Sequence, residues 1–182
     1  MTQAQHVIPL DRVHIRSYHE NDAPTVRRLY EEGRLAGQMA SNDTAADIDN
    51  IHEAYLSQER CHFWVADADG HVVGMIGVAE EEPHLAEIRR LRVDPAYRAA
   101  VQEHHQAHPH GVEHRLMEVA LAFCRHHGYL KVVLDTGFEE GPAKEAFEKF
   151  AFQHNRTRTI HGKDLLEFYL DLYHQPKTEE SA

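Results

Sequence analysis

The residues best placed to do chemistry in this chain lie between Leu91 and Thr136. Leu91-Arg92-Val93-Asp94-Pro95 reads as the end of a strand, Gly111 opens a helix after a histidine-laden loop, and Leu130-Lys131-Val132-Val133-Leu134-Asp135-Thr136 reads as a buried strand. The first amides of a helix have no intrahelical acceptor and stand at the positive end of its dipole. A strand delivering the chain to such a helix start, with a second strand beside it, makes a seat for the phosphates of a cofactor. The loop offers a second chemistry. Glu103, His104, His105, His108, His110 and His114 are crowded together, and neutral imidazole is a favoured ligand of zinc, nickel and copper. No His-Glu-x-x-His pair accompanies them. The loop is therefore read as polar, with no metal site assigned.

The elements that must position this stretch follow from periodicity and turn residues. Val13 to Tyr18 alternates apolar with polar as a first strand. Asp22-Ala23-Pro24 starts a helix, with Asp22 as its expected cap and Val26, Leu29 and Tyr30 on one face. A second helix is expected over Ala45 to Leu56, striped by Ile48, Ile51 and Tyr55. Strands follow at Phe63–Ala66, Val72–Val78 and Ala86–Val93, the first two joined as a hairpin by Asp67-Ala68-Asp69-Gly70. Within the third, Ile88 lies on one parity and Leu91 and Val93 on the other. Either a bulge near Arg89-Arg90 restores a single apolar face, or both faces are covered. The helix from Gly111 carries Val112, Leu116, Val119, Ala120 and Phe123 on one side and stops at Gly128. Ala143, Ala146, Phe147 and Phe150 mark a further helix, and Arg156–Ile160 with Leu165–Leu172 a closing antiparallel pair.

Composition sets the outer bounds. A chain of 182 residues, 42% hydrophobic, suits one domain: residues 1–12 as an extension, 13–173 as the domain and 174–182 as a flexible tail. A net charge of -11 argues against nucleic acid as a partner. Neither a signal core nor a membrane-length apolar run is present, so a cytoplasmic protein with no membrane partner is expected. The two cysteines, Cys61 and Cys124, form neither a disulfide framework nor a zinc spacing and are read as packing residues. Seventeen histidines make any surface function sensitive to pH.

Three motifs carry a resemblance. Leu91-Arg92-Val93-Asp94-Pro95-Ala96-Tyr97-Arg98 is similar to the end of the fourth strand of the GNAT superfamily of N-acetyltransferases. Gly111-Val112-Glu113-His114-Arg115-Leu116 is similar to its glycine loop and third helix, and Ala143 through Phe152 to its fourth helix. The order β-α-α-β-β-β-α-β-α-β-β from Val13 to Leu172 resembles the same superfamily. The resemblance implies a single-domain α/β (α+β) fold, a central mixed but mostly antiparallel sheet flanked by about four helices. It implies acetyl-CoA as cosubstrate, bound along Leu91, Arg92 and Val93, at His108, His110, Gly111, Val112, Glu113 and His114, and against Phe147. It also implies transfer of an acetyl group to a primary amine, on a small molecule or a protein, by direct attack.

Several positions depart from the family's pattern. His108 and Glu113 stand where the family has an Arg or Gln and a glycine, and residues 99–107 are extra. Glu113 either opposes the phosphates or turns to solvent. Phe147 occupies the place of a tyrosine that often protonates the CoA thiolate. Glu87 is the candidate base, Tyr97 or a loop histidine the candidate acid, and a backbone N–H near Leu91 to Val93 the group that polarises the thioester carbonyl. The departures also sustain a second expectation, a GNAT-like domain that binds a ligand or partner without catalysis. An edge strand near the C-terminus could pair two copies as a homodimer.

Overall fold

The computed structural model describes residues 9–33, 44–97, 111–137, 147–160 and 162–173. Its centre is a seven-stranded sheet in the order β1-β2-β3-β4-β5-β7-β6. The strands are β1 (Val13–Ser17), β2 (His62–Ala68), β3 (His71–Glu82), β4 (Leu85–Val93), β5 (Lys131–Gly137), β6 (Gln153–Ile160) and β7 (Lys163–Asp171). Only β4 and β5 pair in parallel; the other neighbours are antiparallel. The expected mixed, mostly antiparallel α+β sheet is therefore present. The β2–β3 hairpin closes where expected, on Asp69 and Gly70, both at positive φ, with the Gly70 N–H donating to Asp67 Oδ1 at 2.6 Å.

The sheet separates two apolar layers. On one face α3 (Val112–His126) sets Val112, Leu116, Met117, Ala120 and Cys124 against Ala86, Ile88, Leu91 and Val93 of β4. On the other, α1 (Ala23–Glu32) and α2 (Ala46–Asp49) bring Val26, Leu29, Tyr30 and Ile48 onto Phe63, Val65 and Met75. Gly74 of β3 lets α3 come close: a Cβ there would stand 3.0 Å from both Val112 Cγ1 and Leu116 Cδ1 and 3.2 Å from the Arg92 carbonyl oxygen.

Of the two readings of β4, the bulge is the one that forms. Met75 pairs with Arg92 and Gly77 with Arg89, so one residue of β3 faces two of β4, and Arg90 takes φ +60°. That extra residue returns Ala86, Ile88, Leu91 and Val93 to one buried layer.

Two local expectations are corrected. The helix over Ala45–Leu56 is not continuous: α2 ends at Asp49, Asn50 leaves helical backbone at φ -146°, and the chain resumes as a π-helical turn, His52–Leu56. Residues eight apart in an unbroken helix stand about 12 Å apart along the axis. The break lets the Tyr55 hydroxyl donate to Asp47 Oδ2 at 2.5 Å. Asp22 does not cap α1. Its carboxylate accepts from the His19 N–H at 2.8 Å and from both Arg16 Nη atoms at 2.8 and 2.9 Å, while the His19 side chain caps the 3-10 turn Glu20–Asp22. The closing pair forms as β6 and β7, with β6 beginning at Gln153. Of the expected helix from Ala143, residues 147–149 make a helical turn and 143–146 lie outside the described residues.

Part of the histidine content has a structural place. The His62 ring lies 4.5 Å from Trp64 and 5.8 Å from Phe123, Phe123 lies 4.1 Å from His127, and Ser17 Oγ meets His62 Nε2 at 2.8 Å. Burial, then the neighbouring His127, lowers the His62 pKa from its ordinary 6.5. A group with a depressed folded pKa favours the unfolded chain once protons compete for it. His62 therefore contributes its full stability above pH 6.5, and that contribution is lost as pH falls below this value. His62→Gln is expected to flatten the dependence of the melting temperature on pH between about 7.5 and 5 relative to the wild type. Equal slopes in thermal melts at several pH values would refute it.

Candidate functional site

The parallel pairing of β4 with β5 is short. It covers Leu85, Ala86 and Glu87 opposite Lys131, Val132 and Val133, and ends before the bulge. Beyond Glu87 the two strands have no ladder, while β3 continues with β4 through Val93 and β7 continues with β5 through Gly137. The result is an opening between β4 and β5. Its far end lies beside the first turn of α3, since Val112 and the Arg92 carbonyl both flank Gly74. Backbone groups along one strand and a helix N-terminus at the end of the same opening suit a long, amide-bearing ligand that ends in phosphate.

Strand β4 presents a different chemistry to each side. Leu91 and Val93 are buried toward α3. The N–H of Val93, turned away from β3, donates to the carbonyl of Gly33 at 2.9 Å, and the next N–H, of Asp94, donates to Val73 of β3 at 2.8 Å. Gly33 follows α1 directly, and a Cβ there would meet Leu29 O at 2.7 Å, Val93 O at 3.2 Å and Arg92 Cβ at 3.3 Å. The end of α1 is thus seated on β4, and only glycine permits the approach.

On the α1–α2 face lies a row across four strands, Glu87, Val133, Tyr169 and Gln153, fixed by the sheet register. Glu87 is partly exposed, its side chain 23% accessible, and its carboxylate pairs with Arg89, which also meets Glu81 Oε2 at 3.4 Å. The Tyr169 hydroxyl donates to Gln153 Oε1 at 2.9 Å, and Lys131 Nζ lies 4.6 Å from the Tyr169 ring. Arg27 and Arg28 close this face from α1 in ion pairs with Asp49 at 2.8 Å and Asp94 at 3.1 Å.

A partly buried ionic group that sequence reading missed sits under the bulge. Arg90 Nε and Nη2 donate to Asp47 Oδ2 and Oδ1 at 2.8 and 2.5 Å, and the Arg90 guanidinium lies 5.3 Å from the Tyr30 ring. Burial tends to raise the Asp47 carboxyl, but the hydrogen bonds from Arg90 and Tyr55 outweigh it and hold the group below the ordinary carboxylate value. Burial, followed by the Asp47 charge, pushes the Tyr55 hydroxyl far above its ordinary value, so it remains a donor. Arg92 is 5% accessible and donates to the carbonyls of Leu91 at 2.9 Å and Tyr30 at 3.5 Å. No sequence signal pairs Asp47 with Arg90, which stand 43 positions apart.

The remaining expected site residues fall as follows. Glu113 turns back over the helix start: a Cβ on Gly111 would meet its two carboxylate oxygens at 2.5 and 2.6 Å. His114 stacks on Phe150 at 4.3 Å and meets Glu118 at 3.4 Å. Phe147 is buried, its ring 6.3 Å from Phe152 and 6.2 Å from Phe168. Tyr97 is buried in the layer beneath α3. His108, His110 and residues 99–107 lie outside the described residues. Among the described residues no cluster of three His, Cys, Asp or Glu side chains could hold a metal ion, and no helix is long and apolar enough to cross a membrane.

Comparison with known proteins places this arrangement. A sequence model described as the Acetyltransferase (GNAT) family matches residues 25–100, which take in most of α1 and all of α2, β2, β3 and β4. N-acetyltransferase 8 of Homo sapiens is 32% identical over 108 residues, covering 59% of this chain and 45% of that protein. N-acetylaspartate synthetase of Xenopus tropicalis is 30% identical over 109 residues, covering 59% of this chain and 36% of that protein. The chain thus spans less than half the length of either relative. The structure of yncA from Salmonella typhimurium with its cofactor acetyl-CoA superposes with a TM-score of 0.68 at 16% identity, over 93% of this chain and 99% of that one.

Proposed function

We propose that this chain is a member of the GNAT superfamily and an acetyl-CoA-dependent N-acetyltransferase whose domain spans residues 13–173. The observation that carries the reading is the opening between β4 and β5 that begins after Glu87 and ends at the start of α3. The pantetheine arm of acetyl-CoA would lie along Leu91–Val93, with the pyrophosphate at Gly111–His114 and, from the loop before it, His108 and His110. The acceptor is a primary amine, on a small molecule or a protein, arriving on the face that carries Glu87 and Tyr169.

The reaction is direct attack. The amine nitrogen must be neutral to form a bond to the thioester carbonyl carbon, and Glu87 takes the proton it sheds, directly or through water. Charge that develops on the carbonyl oxygen is met by a backbone donor of the Leu91–Val93 segment. The C–S bond then breaks, and the CoA thiolate leaves and takes up a proton. Tyr97 is the candidate donor, because Phe147 has no hydroxyl to give.

A reading as a binding module without catalysis draws on one observation, the Glu113 carboxylate folded over Gly111, where its negative charge would oppose a pyrophosphate. Isothermal titration with acetyl-CoA and a thiol-release assay over a panel of amines test both readings. Expected are a measurable heat, thiol release with at least one amine, and tighter binding by Glu113→Gly. Absence of heat and of thermal stabilisation in both proteins would sink the enzyme reading, and unchanged affinity in Glu113→Gly would show that the carboxylate leaves the phosphates free.

A further inference from the structure

We propose that Asp47 is a positioning residue for acetyl transfer: it holds Arg90 in the left-handed conformation that makes the β4 bulge, and so sets the opening between β4 and β5. The inference rests on reading that opening as the thioester site. Three observations carry it independently of any ligand.

The first is backbone geometry. Arg90 sits at φ +60°, where a residue with a Cβ is strained, and it does so at the point where β4 gains a residue over β3. Glycine would meet that requirement without strain, yet the position is arginine. Something in the fold must hold it there.

The second is the holder. The Asp47 carboxylate takes the guanidinium through two hydrogen bonds, at 2.8 and 2.5 Å, with both side chains only 15% accessible. A bidentate Arg–carboxylate pair fixes orientation as well as distance. Removing one partner from this partly buried pair leaves the other charge uncompensated in a poorly solvated place, so the pair resists separation.

The third is that the holder is itself held. The Tyr55 hydroxyl donates to Asp47 at 2.5 Å, and Tyr55 is 1% accessible, its ring 5.1 Å from that of Phe63. A Cβ on Gly77 would lie 2.9 Å from Tyr55 Cε1, so the ring is wedged against the strand that faces the bulge. The break at Asn50 places Asp47 and Tyr55 side by side. Asp47 therefore stands in a fixed frame and transmits that frame to Arg90. Its line of action runs through Arg90, not through the acetyl group or the acceptor.

The test exploits the fact that glycine adopts Arg90's backbone conformation unaided. Asp47→Ala and the isosteric Asp47→Asn are each expected to lower kcat/KM for thiol release about 10- to 100-fold, the scale on which a displacement of about 1 Å of reacting groups is felt. Both should also speed amide hydrogen exchange across residues 89–93. Adding Arg90→Gly to Asp47→Ala should return both readouts most of the way to wild type, because the bulge then needs no holder. A direct role for Asp47 on acceptor or cofactor predicts no such rescue, and a loss of rate that persists in the double variant overturns the proposal. So does unchanged exchange at 89–93 in folded Asp47→Asn. The exchange measurement needs no turnover, so it decides the positioning role even if the wild-type protein releases no thiol. In that event the acetyltransferase reading fails by itself.

Discussion

Glu87→Gln is expected to lower kcat for acetyl transfer about 100-fold or more, within the range usual for loss of a general base, while leaving acetyl-CoA affinity unchanged. The side chain stands at the last rung of the β4–β5 ladder, opposite in parity to Ala86 and Ile88, which are buried under α3. It therefore projects to the face opposite the α3 layer, next to the point where the strands part. Glutamine keeps the shape and the acceptor oxygen but cannot take a proton. A defect in proton removal should shrink as pH rises, because more of the amine is then neutral without help. The competing role is partnership with Arg89 alone. That role predicts a variant of reduced stability with nearly normal kcat and no narrowing of the defect at high pH. A pH series of kcat in the thiol-release assay, with melting temperatures alongside, separates the two.

Phe63→Ala is expected to cost about 3–5 kcal/mol, a large part of the roughly 5–15 kcal/mol that holds a domain together. Phe63 is fully buried in β2, with the Tyr18 ring edge-on at 6.0 Å and the Tyr55 ring at 5.1 Å. A Cβ on Gly77 of β3 would lie 3.0 Å from its ring, so the neighbouring strand leaves no slack on that side. Truncation removes the transfer free energy of the ring and leaves a cavity between two strands that cannot close, because their ladder fixes the spacing. Urea unfolding should show a lower midpoint at unchanged slope. A loss below about 1.5 kcal/mol would mean that the α1–α2 layer collapses into the space instead. Since Tyr55 leans on this ring and carries Asp47, the variant should also lose activity at temperatures where its core is still folded.

The sequence carried the fold because its signals were local. Asp69-Gly70 fixed a hairpin through backbone preference alone, and the parity break between Ile88 and Leu91 narrowed β4 to two readings, a bulge or two covered faces, of which the bulge forms. The order of strands and helices carried the rest. What stayed hidden depends on contacts between distant positions. Asp47 reads as a polar residue on an exposed helical face until the bulge brings Arg90 to it, and the stripe Ile48, Ile51, Tyr55 hides a break at Asn50 that lets Tyr55 reach Asp47. Asp22 obeys the spacing of a cap but is claimed by Arg16, which β1 aims at it. Glu113 left two orientations open, because which way a carboxylate turns at a helix start is settled by packing and not by position. The bulge at Arg90 was legible as one of two alternatives; the frame that holds it was not.

The hydrogen bond from Val93 to the carbonyl of Gly33 joins the end of α1 to β4 by a backbone contact, and under the proposed reading those two elements serve different substrates. Gly33 closes α1, on the side proposed for the amine, and Val93 belongs to the strand proposed to carry the thioester. An acceptor that shifts the end of α1 therefore changes the free energy of the cofactor strand, and linkage requires the reverse effect to be equal in size. On that reading each substrate, once bound, changes the affinity for the other by the same factor, which acetyl-CoA titrations with and without the acceptor amine would measure.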